Sequence, residues 1–211
     1  LPTQPAWRPR PRSEWLMSDH NASAAAAADA PAVPMAAGMV PLTGGTLWLA
    51  ALVLAAANFM AVLDMTVANV SVPSIAGNLG ATTSQGTWVI TSYAVAEAIT
   101  VPLTGWLAAR FGAVRVFATA MGLFGLASLL CGLANSLGML VFARILQGLA
   151  GGPLMPLSQS LLLRIFPPRM APAAIGLWSM TTLIAPVLGP IVGGWICDEY
   201  TWHWIFLINI P

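Results

Sequence analysis

From Leu47 onward the sequence alternates between long apolar blocks and short polar connections. Helix must run for roughly 20 residues to cross about 30 Å of hydrocarbon. Five blocks reach that length: residues 47–72, 87–109, 114–134, 137–163 and 171–196. A sixth begins near Trp202. Between them lie a polar stretch over 78–86, the arginines Arg110 and Arg115, the turn Asn135-Ser136, the segment Arg164 to Arg169 with two prolines, and Asp198-Glu199. The pattern predicts an all-α polytopic membrane protein with five complete transmembrane helices and the start of a sixth.

Residues 1–46 differ in kind. Arg8, Arg10 and Arg12 alternate with proline and other residues, and alanines run from Ala22 to Ala28. Such a composition buries too little apolar surface to offset ordering entropy, so a disordered tail is expected there, followed by a membrane bundle over 47–211. Asp29 and Pro31 interrupt the alanine run, which argues against a signal peptide. Met17 offers an alternative start, and the chain stops at Pro211 inside an apolar run; it reads as the N-terminal portion of a longer protein.

Composition sharpens this picture. Charged residues make up 7% of the chain and mean hydropathy is +0.80, where a soluble domain carries about 25% charge. One packed soluble core is excluded. A net charge of +1 leaves no footprint for nucleic acid. Four arginines flank the second and fourth connections, whereas the first, third and fifth carry no Lys or Arg. The positive-inside rule therefore places the second and fourth connections, and the N-terminus, in the cytoplasm.

Three ionisable residues fall inside the apolar blocks: Asp64, Glu97 and Arg144. Each costs several kcal/mol facing lipid, so each should face the bundle interior or a water-filled cavity. At 1.5 Å per residue, Asp64 and Arg144 reach similar depth in the outer half, and Glu97 falls near mid-membrane. The depths predict that Asp64 and Arg144 share one polar network, directly or through water. Attraction to the arginine favours an ionised carboxyl and desolvation favours a protonated one, a balance suited to proton exchange. A purely structural ion pair fits the same depths.

Small residues recur at helical spacing. Ala57, Ala61, Asp64 and Ala68 form one stripe, Arg144, Gly148 and Gly152 a second, and Ala185, Gly189 and Gly193 a third, with Pro186, Pro190 and Gly194 beside it. Such spacing lets helices approach closely, and prolines loosen a span locally. Other chemistries lack their residues. His20 and His203 have no partner at metal-ligand spacing, there is no Lys for a phosphate-binding loop, and no Ser sits in a nucleophile elbow. No metal, cofactor or catalytic constellation is expected. Cys131 and Cys197 read as small packing residues.

Four motifs then appear in order. The run from Leu63 to Pro73 resembles the first-helix motif of the major facilitator drug:proton antiporters of the fourteen-helix kind. Gly105 to Gly112 resembles the superfamily's loop between helices two and three, Arg144 to Gly148 its fourth-helix motif, and Ala185 to Gly194 the fifth-helix motif of antiporters. The likeness is greatest to the Emr-type inner-membrane exporters, which work with a periplasmic adaptor and an outer-membrane channel. The resemblance implies a major facilitator fold, of which this is the N-terminal helix bundle. It assigns Asp64, with Thr66 and Asn69, to the substrate and proton pathway, and Arg144, with Gln147, to proton coupling. It makes Gly148, Pro186, Gly189, Pro190, Gly193 and Gly194 conformational positions, those of helix five forming a pliable face toward the other half. Gly105, Arg110 and Gly112 become a cytoplasmic latch. Ala109 stands where that latch commonly has Asp, so Arg110 is left to meet backbone or helix ends. Glu97 lies outside the motifs, as a second protonation site or a neutral carboxyl within the bundle.

The function implied is proton-coupled export of hydrophobic drugs or toxic compounds across the bacterial inner membrane, with a hydrophobic small molecule, protons and the bilayer as partners. The alternatives are a same-fold exporter of one physiological compound, such as a siderophore or fatty acid, and a non-transporting membrane scaffold.

Overall fold

The computed structural model describes residues 44–210, and these are helical with no strand among them. The expected tail, residues 1–46, lies outside the described residues save for its last three, of which Gly45 and Thr46 already belong to the first helix. That helix, α1, spans Gly45–Asn78. It continues past the predicted end at 72, through Pro73, because hydropathy marks where the membrane stops and not where the helix does. Gly80, at φ +64°, turns the chain. Thr82 and Gln85 then form a capping box on a single turn, α2, Thr83–Gly86.

The second predicted span is present in two pieces, α3 (Trp88–Thr100) and α4 (Thr104–Phe111). Pro102, which has no N–H to give, sits in the turn between them. Val101 and Leu103 keep helical backbone angles, so the path bends without reversing. Gly112, at φ +90°, closes α4 and opens α5 (Ala113–Gly132); a side chain at this angle would be strained. Ser136 caps α6 (Leu137–Gly151) by accepting from the Met139 N–H. The fourth span also breaks, at Gly152-Pro153, before α7 (Leu154–Ile165). A 3₁₀ turn over Pro168–Met170 leads into α8 (Ala171–Glu199), which runs unbroken through Pro186 and Pro190, and α9 is the short helix Trp204–Leu207.

Among the described residues, four stretches are long and apolar enough to cross a membrane: Gly45–Asn78, Ala113–Gly132, Leu137–Ile165 and Pro168–Glu199. The stretch predicted over 87–109 is not among them; its two pieces are 13 and 8 residues long. Large apolar side chains such as Leu52, Ile99, Leu126, Phe142, Val187 and Ile191 point outward, as a bundle solvated by lipid tails requires.

The buried apolar residues form two half-cores. One lies at the end carrying Arg110, Arg115, Arg164 and Arg169, and joins Leu47 and Ala51 to Phe117, Leu161, Phe166 and Ala174. The Trp48 ring meets Phe166 edge-on at 5.8 Å, fixing the start of α1 at that end. The other half-core joins Leu63, Val67 and Ile75 to Val89, Cys131, Leu140, Ile196 and Phe206. Lipid tails are as apolar as leucine, so close backbone approach and polar contacts hold such helices together. Gly148 of α6 lies against the Tyr93 carbonyl of α3, and Gly189 and Gly193 of α8 lie against Thr66 and Val67 of α1.

Candidate functional site

Where the half-cores meet, polar side chains from α1, α5, α6 and the segment after α9 converge. The order Ala57, Ala61, Asp64, Ala68 makes one buried face of α1, and the alanines bring other helices close enough for the carboxylate to reach. Arg144 NH1 donates to Asp64 Oδ2 at 2.6 Å, and both side chains are fully buried. The same nitrogen donates to Gln147 Oε1 at 2.8 Å, and Arg144 Nε donates to the Val89 carbonyl at 3.3 Å. Gln147 Nε2 donates to Asp64 Oδ1 at 3.0 Å and to Ser128 Oγ at 3.2 Å. Asn209 Nδ2 donates to Asp64 Oδ1 at 2.6 Å, and Ser128 Oγ donates to the Phe206 carbonyl at 2.8 Å. The guanidinium carbon lies 4.4 Å from the Tyr93 ring centre and 5.3 Å from that of Phe206, two cation–π contacts around a fully buried arginine.

The carboxylate therefore receives three donors and a full opposite charge. A buried ion is tolerated when its partner and lone pairs are satisfied in this way. Arg144 NH2 has no hydrogen-bond partner among the described residues, so the cation is held through NH1 and Nε.

The predicted pathway residues do not all gather here. Asp64, Arg144 and Gln147 do, and Asp64 and Arg144 meet directly. Thr66 stands two residues on from Asp64, about 200° round the helix. Its hydroxyl bonds its own Val62 carbonyl, and its side chain meets the Gly189 backbone on the far side of α1. Asn69, about 140° round, is exposed and bonds the Met65 carbonyl. Glu97 is half-buried one turn after Tyr93, and its carboxyl makes no hydrogen bond or ion pair among the described residues.

The conformational positions divide as well. Gly148 is pressed between α6 and α3. Gly189 and Gly193 are buried against α1, which departs from the expectation that they form a face toward another half; Pro186 and Pro190 are exposed on the adjoining side, with Gly194 half-exposed. Gly105 has open space around it, Gly112 supplies the positive φ, and the Arg110 side chain is exposed with no hydrogen bond among the described residues. Ser128 and Asn209 escaped the sequence reading. A serine in an apolar helix gives no cost signal, and Asn209 falls beyond the four motifs.

A second polar cluster links α1 to α8. Asn58, fully buried, donates to the Thr181 and Thr182 hydroxyls at 3.0 and 2.9 Å, and its Oδ1 has no partner. Nearby, Trp178 Nε1 donates to Ser158 Oγ of α7 at 3.2 Å. Both cysteines are free; Cys131 Sγ lies 3.4 Å from Gln147 Oε1, and Cys197 Sγ lies 3.3 Å from Ser71 Oγ.

Comparison with known proteins adds an independent line. The chain is 56% identical over 171 residues to the multidrug export protein EmrB of Escherichia coli K12, covering 81% of this chain and 33% of that protein. It is 58% identical over 171 residues to the fatty acid resistance protein FarB of Neisseria gonorrhoeae, covering 81% and 34%. The chain thus spans about a third of the length of these curated relatives. Among solved structures it is similar, at TM-score 0.66 and 18% identity, to a bacterial homolog of the human lysosomal transporter Spinster in its inward-facing, occupied conformation, over 81% of this chain and 42% of that one. That likeness shows the fold. The family described as the Major Facilitator Superfamily matches residues 54–211, nearly the whole helical bundle built around Asp64 and Arg144, and the chain belongs to it.

Proposed function

We propose that this chain is the N-terminal bundle of a proton-coupled antiporter that exports hydrophobic drugs or toxic compounds across the bacterial inner membrane. The observation that carries the proposal is the hydrogen-bond count at Asp64: three donors, no acceptor, and a buried arginine. That arrangement suits the ionised carboxylate alone. A proton arriving on Asp64 removes the charge that holds Arg144 and puts a hydrogen where only donors point. The network must then rearrange, which ties proton binding to the relative position of α1, α6 and the segment after α9. Alternating access follows in folds of this kind when two bundles rock about a site held within the membrane. Asp64 and Arg144 would carry coupling, Gln147 would hold them in register, and Glu97 would supply a second acidic group on the way to the site.

The relatives' names support the substrate class, since several are multidrug exporters. FarB, a fatty acid resistance protein, favours a second reading, export of one amphipathic carboxylate by the same device. The arginine-bearing end faces the cytoplasm in this proposal, together with the N-terminus, by the positive-inside rule. A periplasmic adaptor and an outer-membrane channel would complete the route.

The test is gradient-driven efflux of a hydrophobic dye by the full-length transporter, wild type against Asp64→Asn. Loss of gradient dependence, with the variant still inserted and folded, is expected. Unchanged efflux would make Asp64 structural and sink the proposed mechanism.

A further inference from the structure

Asn209 belongs to none of the motifs, yet its amide touches the centre of the network. Nδ2 donates to Asp64 Oδ1 at 2.6 Å and to Ser128 Oγ at 3.0 Å, while Oδ1 is buried with no donor. A buried acceptor left idle is costly, so its presence calls for a reason.

The inventory of groups touching Asp64 supplies one. A protonated carboxyl has an O–H to give and needs an acceptor. Arg144 offers none. The Gln147 Oε1 acceptor already receives Arg144 NH1 and faces the Cys131 thiol. Ser128 accepts from Gln147 and Asn209 and gives its own proton to the Phe206 carbonyl. Asn209 alone, among the described residues bonded to Asp64, carries an acceptor in no other use. We propose that Asn209 is the positioning residue that receives the proton-bearing form of Asp64: when Asp64 Oδ1 is protonated, the amide turns about its Cβ–Cγ bond and accepts the new O–H on its own Oδ1.

This rests on the exporter reading, in which Asp64 takes up the proton. The balance is simple. A proton leaves hydronium on the aqueous side, an O–H bond forms at Asp64 Oδ1, and water is released. Oδ1 keeps a lone pair for Gln147 Nε2, and Oδ2 still receives Arg144 NH1. Arg144 loses the opposing charge while keeping its hydrogen bond, so the ion pair is weakened without the carboxyl leaving its seat. The turned amide withdraws Nδ2 from Ser128 and so loosens α5 from the segment after α9, which continues directly from the helix whose Phe206 ring lies over the guanidinium.

The charged and titratable groups acting on Asp64 are Arg144 from α6, Tyr93 and Glu97 from α3, and Cys131 from α5. α8, packed on the other side of α1, has no titratable side chain before Cys197. Of these groups only Arg144 is hydrogen-bonded to Asp64, and it is a donor. The role of acceptor falls to Asn209.

The experiment is infrared difference spectroscopy during a pH titration of the full-length transporter in lipid, with and without asparagine labelled with heavy nitrogen in its side-chain amide. A carboxylic-acid carbonyl band that vanishes in Asp64→Asn is expected, accompanied at the same midpoint by an isotope-sensitive amide band. That amide band should be lost in Asn209→Ser, which keeps a small polar side chain for folding. An Asp64 band with no amide partner, or an amide band that persists in Asn209→Ser, would overturn the inference while sparing the exporter reading. Absence of any Asp64 band would remove the proton from Asp64 and overturn both. Absence of any isotope-sensitive amide band in the labelled wild type overturns the inference even where a variant fails to fold.

Discussion

Alanine at Gly148 is a sharp test of the packing that seats the network. A methyl there lands on the Tyr93 carbonyl oxygen, 2.9 Å from the Ala96 Cβ and 3.1 Å from the Tyr93 carbonyl carbon, where ordinary contact begins at 3.4 Å. The obstacles are backbone and a Cβ, so no flexible side chain can turn aside; α3 and α6 must move apart. Overpacking of this kind costs about 1–3 kcal/mol, offset in part by the roughly 0.5–1 kcal/mol alanine gains over glycine inside a helix. A net loss of roughly 0–2.5 kcal/mol follows. Gly122 of α5 has nothing within 4 Å of its virtual Cβ, so the same change there should stabilise by about 0.5–1 kcal/mol. The difference in sign is the measurement. Separation of α3 from α6 also pulls the Val89 carbonyl from Arg144 Nε, a bond already at 3.3 Å, so Gly148→Ala should lower efflux too. Purified full-length protein, unfolded thermally and followed by tryptophan fluorescence, gives the comparison. Equal stability of Gly148→Ala and Gly122→Ala would refute the argument that α3 and α6 are in backbone contact there.

Three further outcomes are expected. Asp64→Ala or Arg144→Ala alone should destabilise by about 3–5 kcal/mol by stranding a buried charge, whereas Asp64→Leu with Arg144→Met should fold nearly as well as wild type and fail to transport; transport by the double variant would make the pair a structural lock and move the proton site elsewhere. Asn58→Leu removes an amide whose Oδ1 is already unpaired, and the Thr181 and Thr182 hydroxyls keep the Trp178 carbonyl as acceptor, so stability measured by the same unfolding assay should change by less than about 1 kcal/mol. Single cysteines at Arg110 and Arg169, in a background lacking Cys131 and Cys197, should react with a membrane-impermeant thiol reagent only from the cytoplasmic side.

Much of this was legible because lipid makes certain residues expensive. Asp64 and Arg144 stand out in an apolar run for that reason, and the rise of a helix placed them at one depth. Gln147 is one turn from Arg144, hence on its face. Other features carry no such mark. Thr66 and Asn69 share a motif with Asp64, but a motif is read along the chain while a site is read around the helix, and both residues point elsewhere. Hydropathy runs unbroken across Pro102 and Gly152-Pro153, so the two breaks hide inside apolar blocks even though proline gives the local reason for them. The stripe of Ala185, Gly189 and Gly193 shows a close approach; which helix approaches is a tertiary fact, and it is α1.

The sequence distance spanned by the central ion pair has a consequence for how the protein is made. Asp64 meets Arg144 across 80 positions and Asn209 across 145. During synthesis, α1 must therefore enter the bilayer with its carboxyl alone. A lone Asp near mid-helix opposes insertion by about 3 kcal/mol, and each Leu, Val or Phe favours it by about 0.3–0.6 kcal/mol. Eleven such residues between Leu47 and Val72 supply about 3–7 kcal/mol, enough to carry the carboxyl in with little to spare. The apolar richness of α1 is thus a requirement of biogenesis: it bears the acid across until, many residues later, the arginine emerges to meet it.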